Sequence, residues 1–466
     1  MPATVAADAQ AHVDTTIADL VRYLTFPSIS CQEDNFSDVR RLAEVVRDDV
    51  AKLGLDNARL LELEGALPAV AAEWLHAGPD APTVLIYGHL DIQPVELENW
   101  QTDPHVAEIR DGRLYARGAA DDMGGWLSHL AAIAAWFRIH GSLPCNVRVL
   151  IEGEEEIGSP NLERFMDAYP TAFDADVMVL TDCENPSTEV PGLTVSLRGL
   201  LEVDVHCEAL GADVHSGLWG GMVPDPALTL CQIIARLVDE DGRLIPGRRP
   251  VTQQMRDASV DVPLDATVVR DGAHLIPGVE PLPERGVPAA VWMWRQPCVT
   301  ILSTTLPAPG REKNAIRNSA SAKLSVRLAP DQSAADMAAM LKEAVEGRPS
   351  PGGVKTRLEV TREFGSGWLY EPKGPAFEAA NRAYEASWGH PLVQIGVGGS
   401  IPFVALFGRR FGNLPLILNG VLDPLSTAHG PNESMHLGIF AKAISANVYL
   451  LDELAKVGKA ALIADD

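Results

Sequence analysis

Four short apolar runs, at residues 84–87, 147–151, 177–180 and 416–418, constrain this chain more than any other feature. Each is too short for a core-crossing helix and, with Arg148 the one polar residue among them, too apolar for a strand with one wet face. Each is therefore expected to be a strand covered on both sides. A helix-like stretch at 126–137 precedes the second run, and periodicity predicts earlier helices at 11–23 and 38–53. In the latter, Val39, Leu42, Val45, Val46 and Val50 share one face, with Ser37 as the expected N-cap. Short buried strands alternating with helices imply an α/β unit built on a mostly parallel sheet.

The texture changes near Pro191. Residues 201–209, 322–328 and 354–360 alternate apolar with polar, 299–305 reads as a further strand, and 226–238 and 334–345 carry helical spacing. That order, β-α-β-β-α-β, predicts a ferredoxin-like α+β sandwich whose sheet has one half-exposed face. A Pro-, Gly- and Arg-rich stretch at 239–297 interrupts it, and the α/β texture resumes after Pro375. The expected division is a larger domain at 1–191 and 374–466, with a smaller domain inserted at 192–373.

Among 466 residues, Lys and Arg number 38 and Asp and Glu 63, a formal charge of −25 that disfavours work on phosphate backbones. No nucleic acid partner is expected. The six cysteines, Cys31, Cys145, Cys183, Cys207, Cys231 and Cys298, include no CxxC pair and fit neither a disulfide framework nor a thiolate zinc site. Residues 1–20 lack a basic segment followed by an apolar one, and no apolar run approaches the ~20 residues that span a bilayer. The expectation is a cytoplasmic protein with no membrane partner.

Acids and histidines stand where the apolar runs end. Run 84–87 leads through Gly88 into His89-Leu90-Asp91, run 147–151 into Glu154-Glu155-Glu156, and run 177–180 into Asp182. Run 416–418 leads after a loop to His429, and the segment 114–120 leads into Asp121-Asp122 just before a helix. Ligands of open α/β sheets gather at the carboxyl ends of strands, so these groups are expected to converge. Taken singly, each has an ordinary reading: a loop His with a capping Asp, a helix N-cap, a solvated run of Glu. Together, two imidazoles among several carboxylates make a ligand set for a borderline divalent metal, with enough carboxylates for two ions sharing a bridge.

Five segments carry a wider likeness: Gly88-His89-Leu90-Asp91-Ile92-Gln93-Pro94, Arg117-Gly118-Ala119-Ala120-Asp121-Asp122-Met123-Gly124, Glu152-Gly153-Glu154-Glu155-Glu156-Ile157-Gly158-Ser159, Asp213-Val214-His215-Ser216-Gly217 and Gly398-Gly399-Ser400-Ile401-Pro402. In order and spacing they resemble the co-catalytic zinc peptidase family, which includes carnosinase, cysteinylglycine dipeptidase, glutamate carboxypeptidase, aminoacylase and succinyl-diaminopimelate desuccinylase. The first motif, in its Gly-His-x-Asp-x-Gln-Pro form, is most similar to the carnosinase and cysteinylglycine dipeptidase branch.

The resemblance implies a zinc-exopeptidase-like catalytic domain, an inserted lid and dimerisation domain, and two divalent cations per protomer. Zinc is expected first, with manganese or cobalt as alternatives. By resemblance, His89 and Asp182 bind one ion, Glu156 and His429 the other, and Asp121 bridges them. Asp91 would orient His89. Glu155 would be the general base for attack of a metal-bridging hydroxide on a peptide bond. Asp122 would fix the turn carrying Asp121, and the family often has a cis peptide between the two. His215 would reach across a homodimer interface to stabilise the oxyanion, and Arg327, with Gly398, Gly399 and Ser400, would hold the substrate's free carboxylate. Asn314 stands where related dipeptidases carry Thr, and Met123 where they commonly carry Lys, departures that bear on substrate preference. The implied activity is hydrolysis of dipeptides or short peptides. An N-acyl or N-carbamoyl amino acid amidohydrolase of the same family is the alternative. A non-catalytic binding protein is disfavoured because every expected ligand position is filled.

Overall fold

All seven residues of the strand Thr83–His89 are buried, as are the seven of Asn146–Glu152 and the four of Val177–Leu180. The computed structural model describes all residues except 1, 261, 307–309, 366, 399–405, 408, 409, 412, 413 and 463–466. In it these three strands lie side by side and parallel, and Leu416–Leu418 joins parallel to Val177–Leu180. The full sheet order is Asp56–Leu61, Ala69–Trp74, Asn146–Glu152, Thr83–His89, Val177–Leu180, Leu416–Leu418. Its first two strands are antiparallel, a hairpin edge beyond the sequence expectation. The reason is local: half of Ala69–Trp74 is alanine, which carries little strand preference of its own.

Alternate residues of these strands feed two cores. Val84, Ile86, Val147, Val149, Val177 and Val179 pack with residues of the helices Phe36–Leu53, Gly124–His140, Pro375–Trp388 and Leu437–Val457. Leu85, Tyr87, Leu150, Met178 and Leu180 pack on the other side with Leu162, Phe165, Phe173 and Phe407. Covering both faces is what lets the strands carry apolar residues on both sides. Two details differ from expectation. The second early helix begins at Phe36 with Asn35 in the N-cap position, so Ser37 lies inside the first turn, and a helix Pro2–Ala11 precedes Val13–Tyr23.

The β-α-β-β-α-β order reappears as a four-stranded antiparallel sheet, ordered Cys298–Thr304, Ser319–Leu328, Gly199–Glu208, Lys355–Gly365. Leu201, Val203, Val205, Leu324 and Val326 point to one face, where residues of the helices Pro226–Leu237 and Ala334–Glu346 cover them. The strand Gly192–Leu197 belongs to neither large sheet. It pairs in parallel with Val393–Val397 and antiparallel with Trp368–Leu369, and Arg198 alone separates it from Gly199–Glu208. The inserted stretch 239–297 forms three short helices, the last of which sets Ala290 and Trp294 against Val393 and Ile395. Among the described residues no helix is long and apolar enough to cross a membrane.

Candidate metal centre

His89 ends the central strand, where its carbonyl accepts from Trp126 Nε1 at 2.9 Å and its N–H donates to Asp122 Oδ2 at 3.2 Å. Its Nδ1 faces the Asp91 carbonyl at 3.0 Å, with Asp91 Oδ1 at 3.5 Å. A proton on Nδ1 satisfies that carbonyl and leaves the Nε2 lone pair for a metal. The Asp91 carboxylate instead accepts the N–H groups of Glu155 and Glu156, at 3.1 and 3.0 Å, and so sets the turn Glu155–Ile157. Gln93 Nε2 donates to Glu156 Oε2 at 2.7 Å.

Asp121 arrives from outside the central sheet. The segment expected as a core strand at 114–120 is a three-residue strand, Arg113–Tyr115, in a separate small sheet with Glu108–Arg110 and Ser434–His436. It is followed by an irregular turn, Ala119–Met123, with a cis peptide bond between Asp121 and Asp122. Asp121 offers one oxygen to each imidazole: Oδ1 lies 3.1 Å from His89 Nε2 and Oδ2 lies 3.0 Å from His429 Nε2. His429 Nε2 is also 3.1 Å from Glu156 Oε2, and Asp182 Oδ2 is 3.8 Å from His89 Nε2. Asp122 faces away, accepting from Thr181 Oγ1 at 2.6 Å. Gly88 makes room for that contact, since a Cβ there would stand 2.5 Å from Asp122 Oδ2.

A buried ion pair ties these segments together. Arg117 Nη1 donates to Glu433 Oε2 at 2.8 Å, while Arg117 Nη2 donates to the carbonyls of His429 and Gly430, both at 3.1 Å. The Glu433 carboxylate accepts from the N–H groups of Gly118, Ala120 and Asp121 at 3.0, 3.0 and 3.1 Å. The sequence alone assigns no role to Arg117, in the segment Arg117–Gly124, or to Glu433. The available signal was a Glu four residues after His429 in a stretch with no helical or strand pattern.

The six groups form two triads. Ligand atoms of His89, Glu155 and Asp182 lie within 4.8 Å of one another, as do those of Asp121, Glu156 and His429. Burial, and then the charge of Asp121, raises Glu156 to about 7 and moves Asp182 upward; burial likewise raises Glu155. Hydrogen bonds to the carboxylates of Asp121 and then Glu156 raise His429 to about 11. Against the opposing effect of burial, Asp121 and Asp182 raise His89, and the two imidazoles hold Asp121 low. Carboxylates pushed up and imidazoles held protonated have one cause, more negative charge than a buried site tolerates. Two divalent cations on these donors would relieve both.

The other expected site residues lie elsewhere. His215 and Asn314 are neighbours on the inserted domain, both exposed, joined where Ser216 N–H donates to the Asn314 carbonyl at 3.1 Å. Arg327 is half-buried at the end of Ser319–Leu328. Gly399 and Ser400 lie outside the described residues.

Imidazoles and carboxylates gathered beside a mostly parallel sheet, with a ferredoxin-like domain inserted, define a metallopeptidase. Residues 85–453 match the model of peptidase family M20/M25/M40, and the chain belongs to that family of peptide-bond hydrolases. It is 32% identical over 397 residues to a cysteinylglycine-S-conjugate dipeptidase of Corynebacterium striatum, covering 84% of this chain and 85% of that one. It is 29% identical to the Cys-Gly metallodipeptidase dug1 of Schizosaccharomyces pombe, covering 95% and 96%. The structure of human carnosine dipeptidase 1 superposes with a TM-score of 0.78 at 25% identity, covering 98% of this chain and 99% of that one.

Glu433→Gln removes the charge facing Arg117 and weakens the hold on both Asp121 and His429. Metal affinity is expected to fall about 10–100-fold, and unfolding free energy by about 3–5 kcal/mol. Metal titration and urea unfolding read the two effects, and unchanged affinity would remove the pair from this role.

Proposed function

We propose that the chain is a dinuclear metal-dependent dipeptidase, with zinc as the metal, acting on dipeptides or short peptides that carry a free C-terminal carboxylate. The observation that carries this reading is the placement of Asp121, which belongs to one triad of donors and turns one oxygen toward the imidazole of each. His89 and Asp182 would hold one ion, Glu156 and His429 the other, with Asp121 shared. Bound there, the two cations would polarise the scissile carbonyl and make water acidic enough to attack at neutral pH.

Within this reading Glu155 takes the proton of the attacking water and returns it to the leaving amine. Asp91 keeps Glu155 in place through its backbone N–H, and Gln93 steadies Glu156. His215 serves as oxyanion donor. Its Nδ1 accepts from Gly217 N–H at 3.0 Å, which in the neutral ring puts the proton on Nε2, the tautomer a donor needs. Its exposure fits a role in the site of a second protomer, so the proposal includes a homodimer with shared sites. Arg327, with Gly399 and Ser400, would receive the substrate carboxylate, and Asn314 would border the substrate. A cytoplasmic setting is part of this reading and rests on the sequence.

The test of function is a substrate panel, Cys-Gly, β-Ala-His and N-acetyl amino acids, assayed after chelation and after return of Zn, Mn or Co. Stripped protein is expected to be inactive and reloaded protein to cleave the dipeptides. Turnover of N-acetyl amino acids alone would replace the reading with an amidohydrolase, and full activity after chelation would overturn it.

Glu155→Gln is expected to retain both ions by elemental analysis while kcat falls about 10²–10⁴-fold. Near-normal turnover would place the base elsewhere. Mixing His215→Ala with Glu155→Gln protomers, each inactive alone, should restore part of the activity, because each mixed dimer would contain one intact site. No recovery under verified subunit exchange counts against sharing.

A further inference from the structure

Arg198 is the one residue between the strands Gly192–Leu197 and Gly199–Glu208, at the junction of the two domains. Its Nε donates to the Gly398 carbonyl at 3.2 Å, and its Nη1 lies 3.2 Å from Cys298 Sγ. Cys298 is the cross-strand partner of Arg327, whose other partner is Leu200. Paired residues on adjacent strands project to the same face. To reach Cys298 from the near end of Gly199–Glu208, Arg198 must cross the strand of Arg327, so its guanidinium flanks that of Arg327. Burial, and second the charge of Arg198, pull Arg327 below its ordinary pKa.

Two half-buried guanidiniums side by side repel unless an anion lies between them. Among the described residues Arg198 meets a carbonyl and a thiol, and no carboxylate pairs with it. The backbone is shaped for this approach, since a Cβ on Gly398 would stand 2.8 Å from Arg198 Nη2. Gly398 also leads directly into Gly399 and Ser400.

We infer that Arg198 is a second carboxylate-binding residue, forming with Arg327 a two-guanidinium clamp on the substrate's C-terminal carboxylate. The inference rests on the dipeptidase reading and deepens it: a dipeptide acid is bound through two forks contributed by different elements, one of them the junction between domains. The interaction is charge-assisted, so its loss acts on acids and spares neutral amides.

The test compares kcat and KM of wild type, Arg198→Met, Arg198→Lys and Arg327→Met on Ala-Gly and on its C-terminal amide, with melting temperatures to check folding. Arg198→Met is expected to raise KM for the acid about 10–100-fold while leaving the amide within about twofold. Arg198→Lys, which keeps the charge and loses the fork, should fall between. If Arg327→Met abolishes the preference for acid over amide and Arg198→Met keeps it, the inference fails and the carboxylate reading stands. If Arg198→Met weakens acid and amide equally, Arg198 only supports the Gly398 segment, and the inference again fails. If neither variant changes the preference, the carboxylate reading itself is overturned.

Discussion

Arg117 and Glu433 meet with 3% and 0% of their side chains exposed, and the geometry of the centre depends on that meeting. A buried ion pair is weak evidence for stability, because desolvation can cost as much as attraction gives. What this pair supplies is position. Glu433 accepts the N–H groups of Gly118, Ala120 and Asp121 in the turn that carries Asp121, and Arg117 holds two carbonyls of the His429 loop. His429 itself sits at φ 63°, a left-handed conformation that costs a non-glycine residue of order 1–3 kcal/mol. The two carbonyl contacts hold it there. Asp121 and His429 lie far apart in sequence, and this pair makes them one unit.

The central strand supplies the fixed half of the centre. His89 follows six buried residues in register with Asn146–Glu152, so the Glu154–Glu156 segment emerges beside it. Asp91 then fixes both neighbours at once, the imidazole through its carbonyl and the Glu turn through its carboxylate. The rim differs: 58% of the His429 side chain is exposed, against 1% for His89. One triad is therefore embedded in the sheet end, and the other is completed from a surface loop.

The parts legible in the sequence were those written in periodicity or in clustered chemistry. Short apolar runs identified four buried strands of the central sheet, and alternation identified the sandwich of the inserted domain. The metal-ligating candidates were legible because acids and histidines follow those runs. The strand Ala69–Trp74 was not, since alanine marks burial without marking extension. Arg117 and Glu433 were not, because a buried ion pair joining distant loops leaves no local pattern. Arg198 was hidden for the opposite reason, a lone basic residue between two strands that looks like any linker position.

Of the six groups in the two triads, the first five in the chain lie within its first 182 residues, while His429 and its partner Glu433 come after the whole inserted domain. Domains generally fold as units during synthesis, N-terminal portions first. A ribosome that has made the sheet end and the inserted domain has therefore made a half-built centre rich in acids and missing its second imidazole. On the two-ion reading, full ion binding would wait until the C-terminal segment that carries His429 and Glu433 has docked.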